Sequence, residues 1–217
     1  GWNNTDIVLV KADGSGEMTN LTESGYSDNN AKWVLDGKAM IWSSDRAGYR
    51  SHGSWGAEDD IYIMFFDGEA YDKFRLTKEE QALLDEEKED KDKDEKDKDS
   101  KKDKDSKKDK DKDDDKKDEK ADKPVEPLKF DLANRKDRIM RLTVNSSFLG
   151  DAVLTQKGDK LYYCAAFENG YDLWEHNFKE NTTKLLIKGV GGGTMFPDKK
   201  GENIFLVSGG QLKKIEI

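Results

Sequence analysis

The chain has 217 residues, 39% of them charged, with 47 acidic and 38 basic side chains and a net charge of −9. That balance argues against nucleic acid as the main partner, because phosphate binding needs a basic face. No run of about 18 apolar residues is present, so nothing in the sequence predicts a membrane-spanning helix. One cysteine, Cys164, excludes an internal disulfide.

The charge is unevenly spread. Residues 88–123 contain 16 Lys, 17 Asp or Glu, two Ser and one Ala, and nothing else. The other 181 residues are net −8 and hold every aromatic, enough to bury a core. The chain opens on Gly1 and shows no signal peptide; a start set by processing would hide one.

In chain order, "DIVLVKADG" from Asp6 reads as a strand running into a turn, and "NLT" at Asn20–Thr22 ends a second strand. "AKWVLDGKAMIWSS" from Ala31 is a hairpin around an Asp-Gly turn. "DIYIMFF" from Asp60 is a further strand, and "TKEEQALLDEE" predicts a short helix over about 78–87, with Thr77 and Glu80 at capping-box spacing. The Lys/Asp tract follows. It has no Ala/Leu face to bury and is expected to be a solvated, disordered excursion. "DKDKD" within it lacks the turn glycine and terminal glutamate of a calcium loop. "DRIMRLT" at 137–143 is the better candidate for the strand that returns to the sheet; the "RLT" at Arg75–Thr77 has no hairpin glycine behind it. "LYYCAAF", "DLWEHNF", "KLL" and "ENIFLVSG" supply the remaining strands, and "QLKKIEI" closes the chain.

These elements repeat. Thr22, Thr143 and Leu186 each precede a hairpin glycine, Gly37, Gly158 and Gly201, by 15 residues. Asp6, Asp60 and Asp172 each open the strand after the hairpin. The period from Thr143 to Leu186 is 43 residues, the size of a four-stranded propeller blade of about 40–45 residues. The fold class expected is therefore all-β: a partial β-propeller of four-stranded antiparallel blades, with a short helix and a long disordered Lys/Asp-rich insertion. Residues 1–22 give the outer half of a blade, 23–143 a blade with its insertion, 144–186 a complete blade and 187–217 the start of another. Trp33, Trp42, Tyr62, Phe65, Tyr162, Tyr163, Trp174 and Phe205 fall in the strands and are expected to be core packing, with Cys164 a buried, inert thiol. An unclosed ring leaves blade faces bare, and these could drive oligomerisation.

The pattern W-x-x-D-G-K-x-x-x-W-S-S-D-R, then D-I-Y, then R-L-T, resembles the WD-like repeats of tricorn-type proteases and of the TolB family. The loop "DRAGYRSHGSWGAEDDIYIMFFDGEAYDKFRLTKEEQALL", the charged insertion and the return "DLANRKDRIMRLT" look like the first propeller of bacterial tricorn-like serine peptidases. The resemblance implies a non-catalytic propeller segment that gates or positions peptides for a peptidase domain outside these residues, in a periplasmic or exported protein. The alternatives are a TolB-like protein-interaction propeller of the cell envelope, and a cytoplasmic location.

With strands A to D counted from the centre of a blade, the loop at 47–58 is a B–C loop, nine residues longer than its counterpart in the next blade. Long loops on rigid scaffolds often bind. It offers Arg46, Tyr49, Arg50, His52 and Trp55 for contact with a peptide or a neighbouring domain; the competing reading is an edge-covering loop whose arginines pair with Glu58 or Asp59. No catalytic residue, metal ligand or cofactor is expected: His52 has no second ligand at spacing, His176 sits in another strand, and "GVGGGTMF" at 189–196 lacks the Gly-Lys-Ser/Thr of a phosphate loop and reads as a flexible turn. Sequons at Asn20, Asn145 and Asn181 carry no meaning without the compartment.

Overall fold

A computed structural model describes residues 4–50, 56–87, 128 and 130–217. The expected disorder over 88–123 lies outside the described residues. Contacts divide the chain into a main unit, residues 1–75 with 128–217, and a second unit, residues 76–127. In the second unit a helical stretch over 78–87 opens on a capping box, in which Glu80 N–H donates to Thr77 Oγ1 and Thr77 N–H to Glu80 Oε2.

The main unit is built of antiparallel sheets in chain order. β1 (Val8–Val10) and β2 (Met18–Asn20) pair alone. β3 (Asp28–Val34), β4 (Ala39–Ser44), β5 (Asp60–Phe65) and β6 (Ile139–Arg141) form a four-stranded meander. β7 (Phe148–Leu154), β8 (Lys160–Ala166), β9 (Asp172–Asn177) and β10 (Thr182–Ile187) form the next, and β11 (Thr194–Pro197), β12 (Asn203–Ser208) and β13 (Gln211–Glu216) a three-stranded one. The A–B hairpins turn at Gly37, Gly158 and Gly201, all left-handed, with φ of 82°, 71° and 72°. Only glycine adopts that region without a steric penalty, which is why the repeat keeps it.

Successive sheets bury one another. Ala39, Ile41, Ile61, Ile63 and Phe65 of the first meander pack on Ala152, Leu154, Leu161, Tyr163 and Ala165 of the second. The opposite face of that second sheet, with Val153, Tyr162, Cys164 and Leu173, covers Met195, Ile204, Leu206 and Ile215. Ile7, just before β1, and Leu9 of β1 lie against Met40, Trp42, Tyr62 and Met64. Both faces of β4, β5 and β8 are thus covered, and their side chains are apolar on both sides. These are consecutive blades of a partial β-propeller. The A strands converge: Lys32 Nζ on β3 bonds Asp151 Oδ2 on β7 at 2.5 Å, and donates to the carbonyls of Ala152 and of Met195 on β11.

Two findings depart from the sequence reading. Trp33 is not core. It is 53% exposed and touches Phe66 and Phe130 at its edge, because no described strand covers that face of β3. A helix, α1 (Gly68–Arg75), also precedes the expected one. Asp67 caps it through Ala70 N–H, and its Tyr71 and Phe74 rings meet Phe65, with Phe74 reaching Phe178 of the next blade. The excursion that α1 begins is pinned at both ends: Asp131 N–H donates to the Phe66 carbonyl at 2.9 Å, and Phe66 stacks on Phe130 at 4.3 Å.

Candidate functional site

The repeat motif itself builds one rim. In the first copy Thr22 Oγ1 donates to Asp6 and accepts from Ile7 N–H. In the second, Thr143 Oγ1 donates to Asp60 at 2.6 Å and accepts from Ile61 N–H. The aspartate that opens strand C is therefore the anchor of the D–A connection beside it. In the third copy Leu186 stands in place of the threonine, and Asp172 takes Gly189 N–H instead.

The long B–C loop meets the D–A connections on that rim. Asp59 and Ser147 exchange backbone hydrogen bonds, and Ser27 N–H donates to Asp45. The two limbs of the loop pair: Glu58 N–H donates to the Tyr49 carbonyl, and Arg50 bridges Ala57. Gly48 is needed for this, since a Cβ there would stand 1.8 Å from the Glu58 carbonyl oxygen.

Three buried carboxylates each hold an arginine under the rim. Asp28 pairs with Arg46 at 3.2 Å, Asp45 with Arg50 at 3.0 Å and Asp60 with Arg141 at 2.7 Å. Asp28 also accepts from Trp42 Nε1 and Ser24 Oγ. Burial pushes its carboxyl up, but Ser24, Ser44, Trp42 and the Arg46 charge outweigh that and hold it below its ordinary value. The Arg46 guanidinium lies over the rings of Tyr62 and Trp42, and Arg50 over Tyr26.

The five residues offered by the sequence therefore differ in role. Arg46 and Arg50 are tied inward, to Asp28 and Asp45 rather than to Glu58 or Asp59. Tyr49 is 70% exposed on the loop. His52 and Trp55 lie outside the described residues. The sequence missed Asp28 and Asp45 as the arginines' partners. Adjacency gave no usable signal: Asp45 adjoins Arg46 but pairs with Arg50.

The "GVGGGTMF" connection is not a loose turn. A Cβ on Gly193 would meet the Val207 carbonyl oxygen at 2.0 Å, so glycine there permits close packing of the D–A connection on β12. His176 is buried, its Nδ1 2.9 Å from Thr183 Oγ1 and its ring against Phe178. Burial lowers its pKa. Cys164 is buried against Met195, and burial pushes its thiol up to about 12. Neither side chain is presented to a ligand at the rim. Among the described residues no cluster of His, Cys, Asp and Glu has the geometry of a metal site.

Asp59 is the strained member of the rim. Burial, then the negative charges of Asp45 and Asp60, push its carboxyl up to about 6. A carboxyl raised on folding binds its proton more tightly in the folded chain, so stability falls as pH rises from about 4 to about 6. Asp59→Asn should stabilise the protein at pH 7 by about 1–2 kcal/mol, after allowing for solvent at this half-buried side chain, and by almost nothing at pH 4. Urea unfolding at both pH values checks this; an equal gain at both would contradict it.

No protein-family model matches the chain, and no curated protein matches it. A crystal structure of TolB from Acinetobacter baumannii matches over 96% of this chain and 34% of its own, at 9% identity and a TM-score of 0.46. The chain spans about a third of that structure's length.

Proposed function

We propose that the chain is a non-catalytic propeller segment of a tricorn-like serine peptidase, whose rim helps to admit or position peptides for a peptidase domain outside these residues. The observation that carries this reading is the pair of bare apolar faces at the two ends of the blade stack. Phe196, Val207 and Leu212 are 44–67% exposed on one end, and Val8, Val10 and Met18 are 47–69% exposed on the other. In the middle of the stack the equivalent faces are buried by neighbouring blades, so bare faces suit a segment that further blades continue. The loop, insertion and return that frame β5 and β6 are what resemble the peptidase propeller. On the rim, Arg46 and Arg50 fix the loop base, and among the described loop residues Tyr49 is the side chain free to meet a peptide. An exported, periplasmic setting goes with this reading.

A second reading is a protein-interaction propeller of the cell envelope. The same apolar faces favour it, since they suit macromolecular partners better than small ones. The test is incubation of the purified chain with unstructured peptides, following hydrolysis and binding together. The expected result is no hydrolysis and weak binding that disappears when residues 49–56 are deleted. Hydrolysis lost in His52→Ala would overturn the scaffold reading. Binding that survives the deletion would remove the rim loop from it.

A further inference from the structure

The loop that joins β8 to β9 carries Asn169 followed by Gly170, and no other asparagine in the chain precedes a glycine. Both residues are exposed in this B–C loop of the second complete blade. Gly170 is left-handed, with φ of 83°, and a Cβ there would stand in open space. Among the described residues nothing bonds the Asn169 side-chain amide or the Gly170 N–H. Other asparagines are held. The Asn20, Asn134 and Asn203 amides donate to Asp6, Asp131 and Asp198, and Asn177 accepts from the N–H groups of Lys179 and Glu180. Asn145 and Asn181 are exposed like Asn169, but a serine and a threonine follow them.

An asparagine in that setting is chemically labile. The backbone nitrogen of the next residue is tethered within reach of the side-chain Cγ, so the attack is intramolecular. A side chain on that next residue obstructs the approach; glycine has none, and its backbone turns freely. The position also bears on the rim. The Tyr171 carbonyl accepts Gly191 N–H at 3.2 Å, and Asp172 Oδ1 accepts Gly189 N–H at 2.7 Å. The Tyr171 ring lies so close to Gly192 that a Cβ there would stand 2.9 Å from it. The D–A connection to the following blade therefore hangs from the two residues after Gly170.

We propose that Asn169 is a site of spontaneous covalent modification by water, passing through a succinimide to aspartate and isoaspartate, and that the isoaspartate form loosens the connection to the following blade. The Gly170 nitrogen gives its proton to hydroxide and bonds to Asn169 Cγ. The Cγ–Nδ2 bond breaks, and that nitrogen leaves as ammonia. Water then opens the ring. Attack at Cγ restores the backbone and leaves aspartate. Attack at the α-carbonyl carbon routes the backbone through the side chain and leaves isoaspartate. Either product adds a carboxylate between Glu168 and Asp172. Isoaspartate also lengthens the backbone by a carbon atom just before Tyr171 and Asp172, which shifts both against Gly191 and Gly189. The site is distinct from the 47–58 loop and does not depend on the peptidase reading.

The test holds the full chain at pH 6 and at pH 8.5 and follows the tryptic peptide of residues 161–179 by mass spectrometry, with fragmentation to tell Asn169 from Asn177. Conversion at Asn169 is expected to rise with pH, to run at least about tenfold faster than at Asn145 or Asn181, and to fall at least about tenfold in Gly170→Ala. Alanine is strained at a left-handed position, so a synthetic peptide of residues 161–179 gives a second comparison. The folded chain should react within about tenfold of that peptide. A slower folded chain overturns the proposal, as does faster reaction at another asparagine or a Gly170→Ala chain as reactive as the original. In the isoaspartate form, separated by chromatography, amide exchange at Gly189 and Gly191 should be at least about tenfold faster than in Asn169→Asp. Equal exchange in the two would overturn the loosening of the connection.

Discussion

Asp28→Ala should lower the stability of the protein by about 3–5 kcal/mol, the largest single effect expected in this chain. The carboxylate is fully buried and gathers Trp42 Nε1, Ser24 Oγ and the Arg46 guanidinium at one point. Truncation leaves a buried indole N–H without its acceptor and a guanidinium, 20% exposed, without its counter-charge. Arg46 also loses the tether that holds it over Tyr62. Urea denaturation measures the loss, and Asp28→Asn, which keeps an acceptor but no charge, should recover part of it. Because the folded carboxyl lies below its ordinary value, the pair's contribution is present above about pH 4 and falls away as pH drops through the folded value. A cost under about 1 kcal/mol at pH 7 would mean the cluster is solvated in the working protein.

Asp151→Ala should cost about 3 kcal/mol, for a different reason. Asp151 is the joint between three blades. Its Oδ2 takes Met195 N–H at 2.7 Å and Lys32 Nζ at 2.5 Å, and its Oδ1 takes Ala152 N–H. Its removal strands a buried N–H on β11 and leaves the Lys32 ammonium on two carbonyls. A Lys32→Met, Asp151→Leu pair should cost less than Asp151→Ala alone, since no buried charge is then left unpaired. A double variant at least as unstable as the single one would refute the joint as the source of the effect.

The blade repeat was legible because backbone geometry dictates it. Gly37, Gly158 and Gly201 sit where only glycine is unstrained, and Asp6 and Asp60 must face a threonine to anchor the next turn. Those demands recur at fixed spacing and leave a mark in the sequence. The buried clusters were not legible, because they depend on register. Asp28 reaches Trp42 and Arg46 only through the pairing of β3 with β4, which a bulge shifts between Asn29 and Lys32. Lys32 and Asp151 lie 119 residues apart. Trp33 was misread because a strand aromatic is buried only if a neighbour covers its face, and the neighbour is not written in the strand. The signal for α1 was present, with Ala70, Tyr71 and Phe74 on one side of a helix, but it is shorter than the patterns that separate helix from strand with confidence.

Phe66 and Asp131 give the first blade a port. The chain leaves the sheet at one and re-enters at the other, and a single hydrogen bond and one ring stack hold the two together. Strand pairing between β5 and β6 therefore reads only the two ends of what passes between them. Loop-closure entropy grows with the logarithm of length, so doubling or halving the part of that passage beyond α1 changes the free energy of the blade by only about 0.6 kcal/mol. The port can be lengthened, shortened or given a foreign domain without rewriting a residue of the propeller, and this is the natural position at which to graft a reporter.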